Sequence, residues 1–97
     1  MGLVYLDLVF RCEQRFGIKI DREEMTKLAA RRGIQGPTVG DLYEVVHGKA
    51  VEAGVFDAEL DGEIIWSLFR REVSTALVVD PEVVVKSKSL IRDLGMS

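Results

Sequence analysis

The 97-residue sequence contains a single cysteine, and none of its apolar runs approaches the roughly 20 residues that a membrane-spanning helix needs. The lone thiol, Cys12, excludes an internal disulfide and supplies no set of metal ligands. A net charge of −3 offers no basic face for nucleic acid, and the first residues lack the basic lead and cleavage site of a secretory signal. We therefore expect a cytoplasmic protein that binds neither metal nor nucleic acid and does not enter a membrane.

What the sequence does contain is typical of a small globular protein. Hydrophobic residues make up 47% of the chain and charged residues 30%, a balance that suits a folded core with a solvated surface. The length is sufficient for one hydrophobic core, although a marginal one. We therefore predict that residues 1–97 form a single domain.

Apolar residues in the first part of the chain recur at the spacing of an α-helix. They predict a helix over residues 3–16 that ends at Gly17 and buries the stripe Tyr5, Leu8, Val9, Cys12 and Phe16. A second, shorter helix is predicted to start at Asp21. Its carboxylate can accept from the amide three residues later, while the side chain of Glu24 completes a capping box.

Two further helices are predicted in the second half of the chain. Thr38 starts the first, with Asp41 in its first turn, and we expect this helix to end near Gly48. Residues 49–60 show no long period and are predicted to be a linker. Asp61 begins the last long helix, whose inward side comprises Ile65, Leu68, Phe69, Val73, Ala76 and Leu77.

The remainder of the chain is predicted to be an extended loop held to the core by Val84, Leu90, Ile91 and Leu94. The fold class that follows is all-α. We expect a small helical bundle of three long helices and one or two short ones.

The two ends of the sequence read naturally into each other. Residues 93–97 spell D-L-G-M-S, and residues 2–9 spell G-L-V-Y-L-D-L-V. Joined tail to head, they resemble the stretch around the prosthetic-group serine of acyl carrier proteins, which typically reads D-L-G-x-D-S-L-x-x-V/L-E-L-V. The resemblance implies that the order of elements is circularly permuted.

Other segments resemble the same family in the rotated order. Residues 61–97 are similar to the family's first helix and the loop after it; there Val78 replaces a common glycine, and residues 89–95 match S-x-x-x-D-L-G. Residues 3–48 are similar to its second to fourth helices, most clearly at F-G-I-K-I over residues 16–20 and at the T-V of residues 38–39. The resemblance implies an acyl-carrier-like bundle. A natural permutation, an engineered one and a cut from tandem domains would each give this order.

The family's cofactor is 4'-phosphopantetheine, esterified to a serine at the start of a helix, where free amides and the helix dipole favour its phosphate. Counting back from Phe16 places Gly2 at the serine position, whereas counting forward from residues 93–95 places Ser97 at the aspartate before it. The serine is therefore either absent or shifted by one residue. In the second case Ser97 is the attachment site.

Leu3, Leu6 and Phe10 form a second apolar strip beside the buried stripe of the first helix. The resemblance implies that these residues dock partner enzymes; the alternative is that they bury against the linker or a second copy. The family's docking helix is markedly acidic, whereas Arg11 and Arg15 offset the acidic residues here. Recognition by basic partner surfaces is therefore expected to be weaker.

We find no pattern that predicts an enzyme. Cys12 lies in the core stripe, His47 is expected at a helix end, and the carboxylates form no evident acid–base pair. The resemblance implies a carrier module that presents a phosphopantetheine-tethered acyl group to acyl-transfer enzymes, as in fatty acid or polyketide biosynthesis. The alternative is a carrier-like domain without the prosthetic group, which acts as an interaction or scaffold module.

The linker leaves the association state open. Twelve residues span at most ~40 Å, and a helix of 15 residues is only ~22 Å long. The last helix is therefore free to close on its own chain or to dock on a second copy as a domain-swapped homodimer.

Overall fold

A computed structural model describes residues 3–31, 33, 36–54, 56–57 and 59–95 of the chain. These ranges contain the α-helices α1 (Leu3–Phe16), α2 (Arg22–Ala30), α3 (Val39–Glu52) and α4 (Gly62–Leu77), followed by a 3₁₀ turn at Pro81–Val83. No β-strand occurs within them. The predicted small all-α bundle is confirmed.

Capping boxes fix the first residues of α2 and α3; the sequence predicts the box of α2, and for α3 it predicts the start at Thr38 with Asp41 in the first turn. At α2 the Glu24 amide donates to Asp21 Oδ1 at 2.9 Å, and the Asp21 amide donates to Glu24 Oε1 at 3.4 Å. At α3 the Asp41 amide donates to Thr38 Oγ1 at 3.1 Å, and the Thr38 amide donates to Asp41 Oδ2 at 2.9 Å. Each box satisfies amides that a helix start otherwise leaves without partners.

The predicted end of α3 at Gly48 is wrong, and the predicted linker begins too early. The helix continues to Glu52 and ends before Gly54, whose φ of +79° suits a residue without a Cβ. Gly48 is exposed, and the helix continues past it because Ala50 is buried in the core. His47 consequently lies inside α3 and does not cap its end.

The core is formed by one face of each helix and by the loop after α4. α4 packs chiefly along α1 and also against α3. All five residues of the predicted α1 stripe are buried. The remaining buried apolar side chains are Ile20, Leu28, Val39, Leu42, Tyr43, Val46, Ala50, Ile65, Phe69, Val73, Val84, Leu90 and Leu94. This packing occurs within one chain, and the domain-swapped homodimer stays a prediction.

The loop after α4 is held to the core by three of its four predicted anchors. Val84, Leu90 and Leu94 are buried, whereas Ile91 is 42% exposed. Ile91 lies over Gly36 instead: its Cδ1 is 2.6 Å from the place that a Cβ at Gly36 would occupy. The prediction for Ile91 is wrong because the absence of a side chain at Gly36 creates a second place for it on the surface.

Backbone hydrogen bonds join this loop to the start of α3. The Val39 amide donates to the Lys88 carbonyl and the Gly40 amide to the Lys86 carbonyl, each at 2.9 Å, and the Leu90 amide donates to the Pro37 carbonyl at 3.1 Å. We call these paired stretches, residues 37–40 and 86–90, the seam. It connects parts of the chain that lie far apart in sequence.

The turn after α4 places a valine in the left-handed region. Val78, the C-cap of α4, has φ 55° and ψ 51°, and its side chain is 88% exposed. A β-branched residue is disfavoured there because its Cβ approaches the backbone closely. Acyl carrier proteins, the family that the sequence resembles, commonly have glycine at this position.

We expect Phe69→Ala to lower the free energy of unfolding by about 3–5 kcal/mol, because Phe69 is fully buried between helices. Leu68→Ala is the matched control: Leu68 is only partly buried at the edge of the core, so its loss should cost less than about 2 kcal/mol. Urea denaturation of the two variants measures both values. Equal losses would contradict the orientation of α4.

We expect Val78→Gly to raise the free energy of unfolding by about 1 kcal/mol, because glycine adopts this backbone conformation without steric cost. Val78→Ala is the control, since alanine keeps the Cβ and should gain little. Thermal and urea denaturation report the change. A destabilised glycine variant would show that the turn is not left-handed at this residue.

Candidate functional site

The residues predicted to dock partners lie together on the solvent side of α1. Leu3 is 83% exposed, Leu6 is 49% exposed and Phe10 is 58% exposed, whereas their neighbours on the other side of the helix are buried. One helical face therefore carries these three apolar side chains, which we call the α1 strip. Its docking role stays a prediction.

Ion pairs neutralise the surface beside the α1 strip. Arg11 Nε lies 2.8 Å from Asp7 Oδ2, and the hydrogen bond from this guanidinium to the carboxylate raises the pKa of Arg11. Farther along the helix, Arg15 Nη2 lies 3.5 Å from Glu72 Oε2 on α4. These four residues, with Phe10 and Gln14, line a shallow groove of about 460 Å³. The face therefore combines apolar contact area with little net charge.

The segment that matches S-x-x-x-D-L-G folds as a closed turn. The Ser89 amide donates to Asp93 Oδ2 at 2.8 Å, and the Arg92 amide donates to Ser89 Oγ at 3.1 Å. Leu94 is buried beneath the turn, and Gly95 follows with φ +74°. The four defined positions of the motif, Ser89, Asp93, Leu94 and Gly95, thus all contribute to the structure of the turn. Ser97, the predicted attachment site, lies outside the described residues.

A larger groove lies between α3, the start of α4 and the seam, and the sequence does not predict it. It has a volume of about 1060 Å³. Tyr43 and Trp66, which the sequence suggests only as core aromatics, line it with their rings in an edge-to-face arrangement, 5.0 Å apart at 81°. Lys86 Nζ lies over both rings, 5.0 Å from the Tyr43 centroid and 5.2 Å from that of Trp66. We call this arrangement the aromatic corner.

The remaining walls of this groove are predominantly acidic. Glu44 of α3, Glu59 before α4 and Glu63 of α4 line it. Glu44 also pairs with Arg31 at 3.4 Å, whereas Glu59 and Glu63 make no ion pair with the residues that the structure describes. His47 lies one turn from Tyr43, with ring centroids 5.6 Å apart. The spacing of Tyr43 and His47 is visible in the sequence, whereas the approach of Trp66 depends on the packing of α4 against α3 and that of Lys86 on the seam.

Cys12 has no sign of reactivity. Its thiol is fully buried in the α1 stripe, and burial, reinforced by the negative charges of Glu72 and Glu13, raises its pKa to about 12. A thiol with this pKa remains protonated at neutral pH and is a poor nucleophile. Cys12 therefore acts as a small core residue, which agrees with its position in the predicted stripe.

Among the residues that the structure describes, no group of three or more histidine, cysteine, aspartate or glutamate side chains is arranged to hold a metal ion. None of the helices described is both long and apolar enough to cross a membrane.

Comparisons of the chain with protein-family models, with curated proteins and with solved structures find no match. The likeness to acyl carrier proteins therefore rests on the quoted motifs.

We expect Phe10→Glu to change the free energy of unfolding by less than about 0.5 kcal/mol, because Phe10 points into solvent. Val9→Glu is the matched control one residue earlier; Val9 is buried, and placing a carboxylate there should cost about 3 kcal/mol or more. Thermal unfolding followed by circular dichroism compares the two. A strongly destabilised Phe10 variant would mean that the α1 strip is covered in solution.

Proposed function

We propose that this chain is an acyl-carrier-like module. In this proposal Ser97 carries 4'-phosphopantetheine, and the α1 strip presents the module to acyl-transfer enzymes. The bound group would supply a flexible arm with a terminal thiol, on which an acyl chain is held as a thioester. The protein's own part is to fix the base of that arm and to bind the partner.

The observation that carries the proposal is the closed turn before Ser97. The carboxylate of Asp93 and the hydroxyl of Ser89 accept backbone amides of the same turn, and buried Leu94 attaches it to the core. Such a turn fixes the position of Gly95, the last residue that the structure describes. An attachment site two residues later would therefore start from a defined point on the bundle, as a carrier requires.

The turn at Val78 gives independent support. The family pattern has glycine here, and the backbone of this chain adopts the conformation that favours glycine. Because many helices end with a left-handed residue, this agreement concerns the turn after α4 and not the attachment site.

The α1 strip supports a partner interface of a particular kind. The nearest charges are paired with one another, Asp7 with Arg11 and Arg15 with Glu72. Binding through this face would gain mainly from burial of Leu6 and Phe10, and less from long-range attraction. The partner surface is therefore expected to be apolar, and the affinity to depend weakly on salt.

A second candidate function is an interaction or scaffold module without the prosthetic group. The exposure of the α1 strip favours it, because that surface needs no modified serine. The position that aligns with the carrier serine from the N-terminal side is Gly2, which carries no hydroxyl. The two functions share the interface and differ in the covalent chemistry at Ser97.

Incubation with coenzyme A and a broad-specificity phosphopantetheinyl transferase tests the first function. We expect one phosphopantetheine adduct by intact mass, located at Ser97 by peptide mapping, and none on Ser97→Ala. Ser87→Ala is the matched control, because Ser87 is an exposed serine in the same loop and its loss should leave the modification unchanged.

Two outcomes would overturn the carrier proposal: an unmodified mass from protein shown to be folded, or an adduct that survives in Ser97→Ala.

The variant Phe10→Glu tests the interface separately from the attachment site. If the transferase docks on the α1 strip, this variant is modified more slowly, while Ile64→Glu, an exposed apolar position on α4, is modified at the original rate. Equal rates for both variants would remove the strip from the interface.

A further inference from the structure

We propose that the aromatic corner is a binding site for an alkylammonium group, and that Lys86 occupies this site in the free protein. The proposal concerns the groove formed by α3, the start of α4 and the seam. It does not depend on modification of Ser97 or on the α1 strip.

The geometry of the corner is that of a cation site. The faces of Tyr43 and Trp66 meet almost at a right angle, and the ammonium of Lys86 lies about equally far from both ring centroids, at 5.0 and 5.2 Å. Aromatic faces carry negative electrostatic potential and attract cations within about 6 Å. An ammonium at this point is attracted by two rings at once, and alkylated ammonium groups gain further from apolar contact with them.

Packing around the corner holds the rings in place before any ligand arrives. Tyr43 is buried apart from its groove face, and its hydroxyl donates to the Gly62 carbonyl at 3.3 Å. Phe69, fully buried, lies against both rings, with centroids 5.3 Å from Tyr43 and 6.0 Å from Trp66. A ligand therefore meets a site whose aromatic walls are already ordered, which reduces the entropic cost of binding.

Lys86 is suited to leave the site without disturbing the fold. Its backbone is fixed in the seam, where its carbonyl accepts from the Gly40 amide at 2.9 Å. Its side chain is exposed and makes no ion pair with the residues that the structure describes. Exchange of its ammonium for that of a ligand would thus require only side-chain rotation, and the loop would keep its hydrogen bonds.

The charge and the size of the groove also favour an organic cation. Glu59 and Glu63 stand on the walls without a cationic partner among the described residues, and Glu44 adds a third carboxylate. These carboxylates attract cations and repel anions. The volume of about 1060 Å³ exceeds what one lysine head group fills and is at the upper end for ligand pockets. The ligand is therefore expected to extend beyond its ammonium group.

Titration with tetramethylammonium chloride, at an ionic strength kept constant with sodium chloride, tests the proposal on the full chain. Trp66 is the only tryptophan, so its fluorescence reports the corner directly. We expect a saturable change. In the NMR spectrum we expect the rings to shift the ε-methylene protons of Lys86 upfield in the free protein, and these protons should return toward ordinary lysine values as the ligand binds.

Two variants make the test specific. Lys86→Met keeps an apolar stem but removes the competing ammonium, so it should raise the affinity for tetramethylammonium about two- to fivefold. Lys88→Met is the matched control: it removes the same charge two residues away, at an exposed position that does not line the groove, and should change the affinity less than twofold. Glu63→Gln should weaken binding.

A fluorescence change no larger than that caused by sodium chloride would overturn the proposal. So would equal effects of Lys86→Met and Lys88→Met, because they would indicate general electrostatics in place of displacement of the Lys86 ammonium.

A parallel titration with a blocked lysine peptide and with its trimethyl-lysine form identifies the source of the ammonium. Tighter binding of these peptides than of tetramethylammonium supports the site as one for a protein side chain, and the reverse order supports it as one for a small molecule.

Discussion

The seam between residues 37–40 and 86–90 is the constraint on which the rest of this structure depends. Its three hydrogen bonds join the start of α3 to the loop after α4. The approach is close: a Cβ at Gly40 would lie 3.1 Å from the Lys86 carbonyl oxygen. Lys86 reaches the aromatic corner because its backbone is fixed here. The turn that begins at Ser89 is fixed at the other end of the same stretch, so the aromatic corner and the turn before Ser97 depend on one set of backbone contacts.

The two sites use opposite physical means of recognition. On the α1 strip the charges are paired with each other, and what remains for a partner is apolar area on Leu6 and Phe10. In the groove the aromatic rings are already ordered, and a cation is attracted by their faces and by the carboxylates of Glu59 and Glu63. Added salt screens the second kind of attraction and leaves the first largely intact. Partners of the two surfaces would therefore respond differently to ionic strength, even though one small domain carries both.

The sequence predicts those features whose causes are local. The capping box of α2 was predictable, because Asp21 and Glu24 lie three residues apart and satisfy each other's amides. The end of α3 was not, because burial of Ala50, a tertiary effect, outweighs the low helix propensity of Gly48. The α1 strip followed from helical periodicity alone. The aromatic corner did not, because Trp66 and Lys86 lie far from Tyr43 in sequence. Packing of α4 on α3 brings Trp66 to Tyr43, and the seam brings Lys86.

The circularly permuted order of elements that the resemblance implies requires little change in how the helices of this bundle pack. The two stretches of the seam, residues 37–40 and 86–90, keep their neighbours along the chain whichever connection between two helices is cut. Near the start of α4, Asp57 Oδ1 accepts the amides of Glu59 and Leu60 at 2.9 Å. Tyr43 then bonds the first residue of α4 directly to α3. Opening one connection and closing another changes mainly loop entropy, which depends only weakly on loop length. The packing and the seam therefore determine this fold more strongly than the order of its helices.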